Sequence, residues 1–303
     1  MCVDPFARHS VLQFSGGPLR VYESGPPDAP AVLLLHGAML DTAPFTWRHL
    51  LPALAGERRV VAPDLPRHGG SRPWRGTLDQ PAMEAVVEEL LDRLEIGRAA
   101  LVGLSMGGGI AIGYALGHPE RVAALVPINP GGLDAVRPLQ FLTWLNLQSD
   151  PLLRWSARVA AMPGVLRGAT LRNLAARAAT RDRRELIRLV EAEARARVVH
   201  GERALDDWQI AAYGPWRMRL DFTPHLHRLA VPSLWLHGRA DTFVRGEVVR
   251  RAAALAPGAR FVEIDGAGHV APLDRPGRVR ELVTGFLDEV AGTGPGGSGK
   301  PRS

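Results

Sequence analysis

Short apolar runs alternate with helical patterns along most of this 303-residue chain, and this alternation limits the possible folds more than any other feature. Turn residues rich in glycine and proline separate the runs, and apolar residues at helical spacing follow most of them. An alternation of strand and helix is typical of a parallel β-sheet with helices on both faces. The sequence therefore predicts the α/β class.

Eight strands are predicted. Six of them, at residues 31–35, 59–62, 99–102, 123–126, 233–236 and 260–264, are expected to be buried on both faces of a mostly parallel sheet. The other two, at 11–14 and 19–23, flank Gly16 and Gly17 and are predicted to form an antiparallel hairpin. Helices are predicted at 80–94, 107–116, 247–255 and 279–290.

The alternation stops between residues 131 and 229, where the spacing of apolar residues is helical and Leu186, Leu189 and Val190 form one stripe. We interpret 131–229 as a helical cap inserted into a core of residues 1–130 and 230–291. Nine arginines between positions 167 and 200 are interleaved with acids, which favours a solvent-exposed helix face. The Gly-, Pro- and Ser-rich tail, 292–303, is predicted to be disordered.

Composition narrows the partners and the location. With 46% hydrophobic and 22% charged residues the chain is typical of globular proteins, and its apolar runs are too short to span a membrane. The net charge of +6 comes from basic residues scattered among acids, without a nucleic-acid-binding motif, so no nucleic-acid partner is expected. Cys2 is the only cysteine and the N-terminus lacks a signal-peptide pattern, so a cytoplasmic location is predicted. Nothing in the sequence sets the oligomeric state.

The stretch 101–108 is the strongest sign of function. An apolar strand runs through Gly103-Leu104-Ser105-Met106-Gly107 into a helix. A serine on such a sharp turn projects its hydroxyl from the end of the sheet, and the flanking glycines let neighbouring segments approach. The backbone N–H of Met106 then lies at a helix N-terminus, where it can bind a developing oxyanion. Ser105 is therefore predicted to be a nucleophile.

Two further loops give the chain a resemblance to the α/β-hydrolase fold family that extends from about residue 11 to residue 290. The loop His36-Gly37-Ala38-Met39 resembles the family's oxyanion loop, which implies that Ala38 N–H is the second oxyanion donor. The loop 63–71 resembles the family's Asp-Leu-x-Gly-His-Gly-x-Ser motif, with Arg67 where glycine is frequent.

The order of nucleophile, acid and histidine in this family implies Asp241, after the penultimate strand, and His269, after the last. Some relatives carry the acid after the sixth strand instead, where Asn129 and Asp134 lie. His269 would take the proton of Ser105, and Asp241 would fix the tautomer of the imidazole. The resemblance thus implies an enzyme that needs no cofactor and cleaves a carboxylic ester or lactone through an acyl-enzyme intermediate.

Large apolar side chains in the cap predict a hydrophobic pocket above the nucleophile, and hence a medium-sized, largely uncharged small-molecule substrate. The predicted lining is Met39, Phe141, Trp144, Trp208, Tyr213 and Phe243. His36 and His118 are interpreted as structural. No metal site is predicted, because four further histidines show no close pairing with carboxylates or cysteine beyond the His225/His227 pair, which is too little to hold a metal. These four are His68, His225, His227 and His237.

Two other functions remain open at this point. Enzymes of the same family with a similar Gly-x-Ser-Met-Gly-Gly turn include C–C bond hydrolases, enol-lactonases and cofactor-free perhydrolases. A protein of this fold can also act as a receptor that binds a ligand without catalysis. The presence of serine, rather than aspartate, at position 105 argues against dehalogenase or epoxide hydrolase chemistry, in which a carboxylate is the nucleophile.

Overall fold

A mixed eight-stranded sheet forms the centre of the fold in the computed structural model, which describes residues 5–166, 168 and 183–292. The strand order is β1-β2-β4-β3-β5-β6-β7-β8, and all pairings from β4 to β8 are parallel. The strands are β1 (Ser10–Gln13), β2 (Pro18–Ser24), β3 (Ala31–Leu35), β4 (Arg59–Pro63), β5 (Ala99–Leu104), β6 (Val122–Ile128), β7 (Leu234–Gly238) and β8 (Arg260–Ile264).

All eight predicted strands are confirmed, and β3 and β8 have the predicted bounds. The predicted hairpin is also present, because β1 pairs antiparallel with β2 from Ser10↔Val21 to Gln13↔Pro18. One expectation was wrong: β8 is not buried on both faces, and of its residues only Ile264 is fully buried. The reason is that β8 lies at the edge of the sheet, where it pairs with β7 alone.

Helices cover both faces of the sheet, as predicted. Successive residues of a strand point to opposite faces, so Leu33 and Leu35 of β3 pack in one core layer while Val32 and Leu34 pack in the other. The first layer is covered by α3 (Gln80–Arg93), α4 (Met106–Gly117) and α9 (Gly246–Leu255), and the second by α2 (Leu50–Leu54) and α11 (Pro276–Gly292). The short helices α1 (Ala43–Thr46) and α10 (Ala271–Asp274) follow β3 and β8.

Among the described residues between β6 and β7, four further α-helices are present: α5 (Gln140–Leu147), α6 (Asp150–Ala160), α7 (Arg183–Val199) and α8 (Asp207–Ala212). The predicted apolar stripe of α7 packs onto the rest of the protein, since Leu186 and Val190 form a buried cluster with Phe45 and Leu273. Residues 167, 169–182 and the predicted disordered tail from 293 onward lie outside the described residues. The division into core and inserted cap stays a prediction.

The expectation that the arginine-rich segment is a solvent-exposed face was wrong for part of α7. Glu193 and Arg197 are both 3% exposed. Each meets charged side chains of opposite sign, and this pairing offsets the cost of removing charge from water. None of the described helices is long and apolar enough to span a membrane.

Candidate active site

Ser105 stands on a tight, strained turn between β5 and α4. Its backbone has φ 52° and ψ −111°, a conformation that side-chain-bearing residues rarely adopt. The surroundings fix it: its amide donates to the Ile128 carbonyl at 3.0 Å, and its carbonyl accepts the amides of Gly109 and Gly131, each at 3.0 Å. The nucleophile predicted from the sequence is therefore held at the carboxyl end of the parallel strands.

The two glycines beside Ser105 are required by close approach of the backbone. A Cβ at Gly103 would lie 2.3 Å from the Gly107 carbonyl oxygen. A Cβ at Gly107 would lie 2.1 Å from the carbonyl oxygen of Leu35, at the end of β3. Any larger residue at either position would push α4 away from the sheet.

His269 and Asp241 lie together, although they come from loops after different strands. His269 Nδ1 is 2.8 Å from Asp241 Oδ2, and the Asp241 side chain is fully buried. The other carboxylate oxygen accepts the amides of Phe243 and Val244, at 2.7 and 3.2 Å. Because an ionised carboxylate only accepts hydrogen bonds, Nδ1 carries the proton and Nε2 is left free to act as a base.

Neither alternative position for the acid meets the imidazole ring. Asn129 donates through Nδ2 to the carbonyl oxygens of Gly268 and His269, at 3.1 and 2.7 Å, and its Oδ1 accepts the Gly238 amide at 2.9 Å. It thus ties the histidine loop to the end of β7. Asp134 instead pairs with the arginines at positions 137 and 245.

The two amides predicted to bind an oxyanion are those of Ala38, after β3, and Met106, the first residue of α4. Neither donates to an acceptor within residues 5–166, 168 and 183–292. Unpaired backbone donors are rare in folded proteins unless a ligand or water completes them. Both amides are therefore available to a group bound at Ser105.

Buried polar groups hold the loop that contains Ala38. The Leu65 amide donates to His36 Nε2 at 2.9 Å, so the proton is on Nδ1, which donates to the Gly37 carbonyl at 2.7 Å. Burial holds the pKa of His36 well below its usual range, and the ring stays neutral. Asp41 accepts the Gly37 amide at 2.6 Å and the hydroxyl of Thr46, and burial raises the pKa of this carboxyl to about 6.

Arg67 stands where glycine is frequent in the motif that the loop 63–71 resembles, and its backbone conformation is one that favours glycine. Its φ is 63°, in the left-handed region. Its guanidinium compensates by donating to Asp207 Oδ2 and to the Gly76 carbonyl, each at 2.7 Å, and to the Trp74 carbonyl at 3.3 Å. These bonds tie Arg67 to residues 74 and 76 and to Asp207 in the segment between β6 and β7.

A cavity of about 410 Å³ lies over the site, and its lining is mostly apolar. Ser105, His269 and Ala38 line it together with four of the six predicted pocket residues: Met39, Trp208, Tyr213 and Phe243. Phe141 and Trp144 were wrongly placed in the pocket and do not line it. They belong to an aromatic group outside the cavity, in which the Phe141 ring stacks on Trp216 at 4.9 Å and lies 5.7 Å from Trp144.

Sequence reasoning missed three charged groups near the site. His68, read as having no carboxylate partner, lies with its Nε2 3.3 Å from Asp206 Oδ2. Asp206 also accepts the amide of Met39 at 2.6 Å. Arg137 brings a cation to the cavity lining. The only signal for Asp206 was its position immediately before a helix, where aspartate is a common N-cap. Among the described residues there is no group of three or more potential metal ligands.

Comparisons with known proteins agree with this architecture. A family model described as alpha/beta hydrolase fold matches residues 30–276. A pimeloyl-[acyl-carrier protein] methyl ester esterase of Edwardsiella ictaluri is 28% identical over 263 residues, covering 85% of this chain and 93% of that protein. Epoxide hydrolase A of Mycobacterium tuberculosis is 29% identical over 317 aligned positions, covering 91% and 96%. A solved esterase structure from Thermogutta terrifontis has a TM-score of 0.73 at 26% identity, covering 94% of this chain and 99% of that one. The chain belongs to the alpha/beta hydrolase fold family and is a hydrolase.

Proposed function

We propose that this hydrolase cleaves a carboxylic ester or lactone with a hydrophobic part through an acyl-enzyme intermediate on Ser105. The observation that carries the proposal is the 2.8 Å contact between His269 Nδ1 and Asp241 Oδ2, made by a histidine that lines the same cavity as Ser105. A neutral serine is a poor nucleophile, and an adjacent imidazole oriented by a carboxylate is a common means of activating it.

The reaction proceeds in two steps. His269 Nε2 takes the proton of Ser105 as its oxygen attacks the carbonyl carbon, and the amides of Ala38 and Met106 bind the oxyanion. The imidazolium then gives its proton to the departing alcohol, which leaves the acyl group on Ser105. Water, deprotonated by His269, then attacks the acyl carbon. The bond from the acyl carbon to the Ser105 oxygen breaks, the imidazolium returns the proton to that oxygen, and the acid is released. Asp241 stabilises the imidazolium in both steps and keeps its own charge.

The nucleophile and the cavity support the substrate class. Epoxide hydrolases and dehalogenases of this family attack through a carboxylate, whereas this chain has a serine, which favours acyl transfer. A volume of about 410 Å³ lies in the usual range for small-molecule sites. Residues of the segment 131–229, including Trp208 and Tyr213, form part of the wall, in keeping with a cap over the nucleophile.

The test is hydrolysis of nitrophenyl esters graded in acyl chain length, with Ser105→Ala as the matched variant. We expect turnover by the wild type, loss of turnover in the variant with Tm within a few degrees, and labelling of the wild type alone by a fluorophosphonate. A vinylogous diketone, an enol-lactone, and peroxide with acetate are offered in parallel. A higher kcat/KM for one of these would assign the same three residues to that reaction instead. A folded wild type that neither turns over nor labels would favour a ligand-binding receptor.

A further inference from the structure

Three consecutive amides of the loop after β3 have different partners. The Gly37 amide donates to Asp41 Oδ2 at 2.6 Å, and the Met39 amide donates to Asp206 Oδ2 at 2.6 Å. Between them, the Ala38 amide has no acceptor among the described residues, and Ala38 lines the cavity. The amides of Gly37 and Met39 are thus held by carboxylates, whereas the Ala38 amide between them is left without such a partner. The Ala38 N–H lies in the same peptide plane as the Gly37 carbonyl, which accepts from His36 Nδ1, and the next peptide plane is held by Asp206 through the Met39 amide. Ala38 is therefore restrained on both sides.

Met39 needs such a restraint because its backbone is strained. Its φ is 66°, in the left-handed region that favours glycine. A non-glycine residue keeps this conformation only where its surroundings hold it. On the other side of the loop His36 fixes the Gly37 carbonyl, so without Asp206 the loop would be anchored at one end only.

Asp206 comes from the helical segment between β6 and β7 and is itself held in place by charge. The guanidinium of Arg197 donates to Asp206 Oδ1, and His68 Nε2 lies 3.3 Å from Oδ2. Burial would raise the pKa of Asp206, but these two cations hold it well below its usual range, so it remains a carboxylate. Arg197 in turn lies 3.7 Å from Glu193, which is hydrogen-bonded to Arg72 of the loop after β4.

We propose that Asp206 is a positioning residue for the oxyanion loop: by binding the Met39 amide it fixes the peptide that follows Ala38, while His36 holds the Gly37 carbonyl on the other side, and together they keep the Ala38 amide directed into the cavity. The proposal rests on the function proposed above. Since Asp206 reaches the loop from the segment that also walls the cavity, that segment would complete the oxyanion site as well as cover the substrate. Asp206 does not touch the reacting atoms and acts through Met39.

The neighbouring residue provides a matched control. Asp207 also joins the same segment to the core, since its Oδ2 accepts Arg67 Nη1 at 2.7 Å and the Leu78 amide at 3.0 Å, and Oδ1 accepts the guanidinium of Arg203. None of its partners belongs to residues 36–41. Replacing Asp207 therefore removes comparable buried contacts without releasing Met39.

The experiment compares kcat and KM for one nitrophenyl ester in the wild type, Asp206→Asn and Asp207→Asn. An asparagine at 206 has one acceptor oxygen in place of two, and this oxygen should face the Arg197 guanidinium because a hydrogen bond from a charged donor is the stronger one. The Met39 amide is then opposed by an N–H group and loses its acceptor. We expect kcat to fall about 10- to 100-fold in Asp206→Asn with KM nearly unchanged, because the interaction lost acts in the transition state. Asp207→Asn should keep kcat within about threefold, although both variants lose thermal stability.

A transition-state mimic separates positioning from a general loss of structure. A trifluoromethyl ketone adds to the serine and forms an oxyanion, so its inhibition constant in Asp206→Asn should rise by the same factor by which kcat/KM falls. If Asp206→Asn does not fold, Asp206→Glu keeps the charge facing Arg197 while displacing the carboxylate, and should show the same fall in kcat.

Two results would overturn the inference while leaving the proposed function intact: equal kcat in Asp206→Asn and Asp207→Asn, or an effect of Asp206→Asn on KM alone. A wild type without ester hydrolysis, or a Ser105→Ala variant that retains it, would instead overturn the proposed function. The two failures are therefore distinguishable in one set of assays.

Discussion

Gly107→Ala tests the physical reason for the turn at Ser105. The added carbon would lie 2.1 Å from the Leu35 carbonyl oxygen and 2.5 Å from that of His36. An ordinary carbon–oxygen contact is roughly 3.3 Å, so the overlap is about 1 Å. Both oxygens belong to the backbone at the end of β3 and cannot rotate away. The start of α4 must move instead, and it carries Ser105 with it.

The expected cost follows from that displacement. A shift of about 1 Å in a reacting group reduces the rate on the order of 100-fold. Overpacking of this kind costs about 1–3 kcal/mol, which in a chain of 303 residues corresponds to a fall in Tm of roughly 2–5 °C. The measurements are kcat/KM on the best nitrophenyl ester and the thermal midpoint from circular dichroism.

Gly117→Ala is the matched control on the same helix. Gly117 is the last residue of α4, and no heavy atom lies within 4 Å of a Cβ built there. Alanine is favoured over glycine in helices by about 0.5–1 kcal/mol, so Tm should stay level or rise, with kcat/KM unchanged. If Gly107→Ala matched Gly117→Ala in both measurements, close approach would not be the reason for glycine in this turn.

Three further predictions follow from charged groups. Asp241→Ala should lower kcat by a factor of about 10⁴, whereas kcat of Asp134→Ala should stay within about threefold of the wild type. The reverse result would assign the role of catalytic acid to Asp134, in the loop after β6. Arg137 lines the cavity and lies 3.8 Å from Asp134, and within the part of the chain that the structure describes its Nε has no hydrogen-bond partner. Esters with a terminal carboxylate should therefore gain about tenfold in kcat/KM over neutral esters of equal length, and Arg137→Met should abolish the gain; an unchanged ratio would contradict this. Burial lowers the pKa of His68, but Asp206 raises it more, to above its usual value. The stabilisation of the folded protein by the His68–Asp206 pair is thus fully present below about pH 6.5, and it is lost as the pH rises through the raised pKa of His68. The difference in Tm between the wild type and His68→Gln should narrow between pH 5 and pH 9, and a constant difference would show that His68 is not charged.

Local patterns were sufficient to predict the sheet and the sharp turn at Ser105. Strand β3 could be predicted to the residue because its five apolar side chains are bounded by proline and histidine, and burial on both faces selects such a run. Ser105 could be predicted because the turn, the flanking glycines and the helix start are contiguous. The exposure of β8 could not be predicted in this way. Its residues 260–264 contain as many apolar residues as an inner strand, and the position of a strand in the sheet depends on which strands pair.

The pocket shows where composition stops being informative. Aromatic residues of the segment between β6 and β7 were all equally good candidates for the pocket, because a helix presents different faces at successive positions. Trp208 lines the cavity, and its indole N–H is hydrogen-bonded to Gln80, whereas Phe141 packs with Trp216 away from the cavity. Only the direction of each helix face distinguishes the two cases, and that direction is set by tertiary packing.

Three of the charged residues that were misread have a partner far along the chain. Glu193 meets Arg72 across 121 positions, Asp206 meets the Met39 amide across 167, and His68 lies beside Asp206. Isolated charges belong in water because burying one without a partner is very costly, so a sequence pattern assigns them to the surface. Two opposite charges that pair can be buried, but the sequence around one of them does not show where its partner lies. Removing one member of the Arg72–Glu193 pair should thus destabilise the protein far more than replacing both with apolar residues of similar size. Such pairs join the segment between β6 and β7 to the loops of the sheet, which makes them the part of the site least accessible to sequence and most dependent on the complete fold.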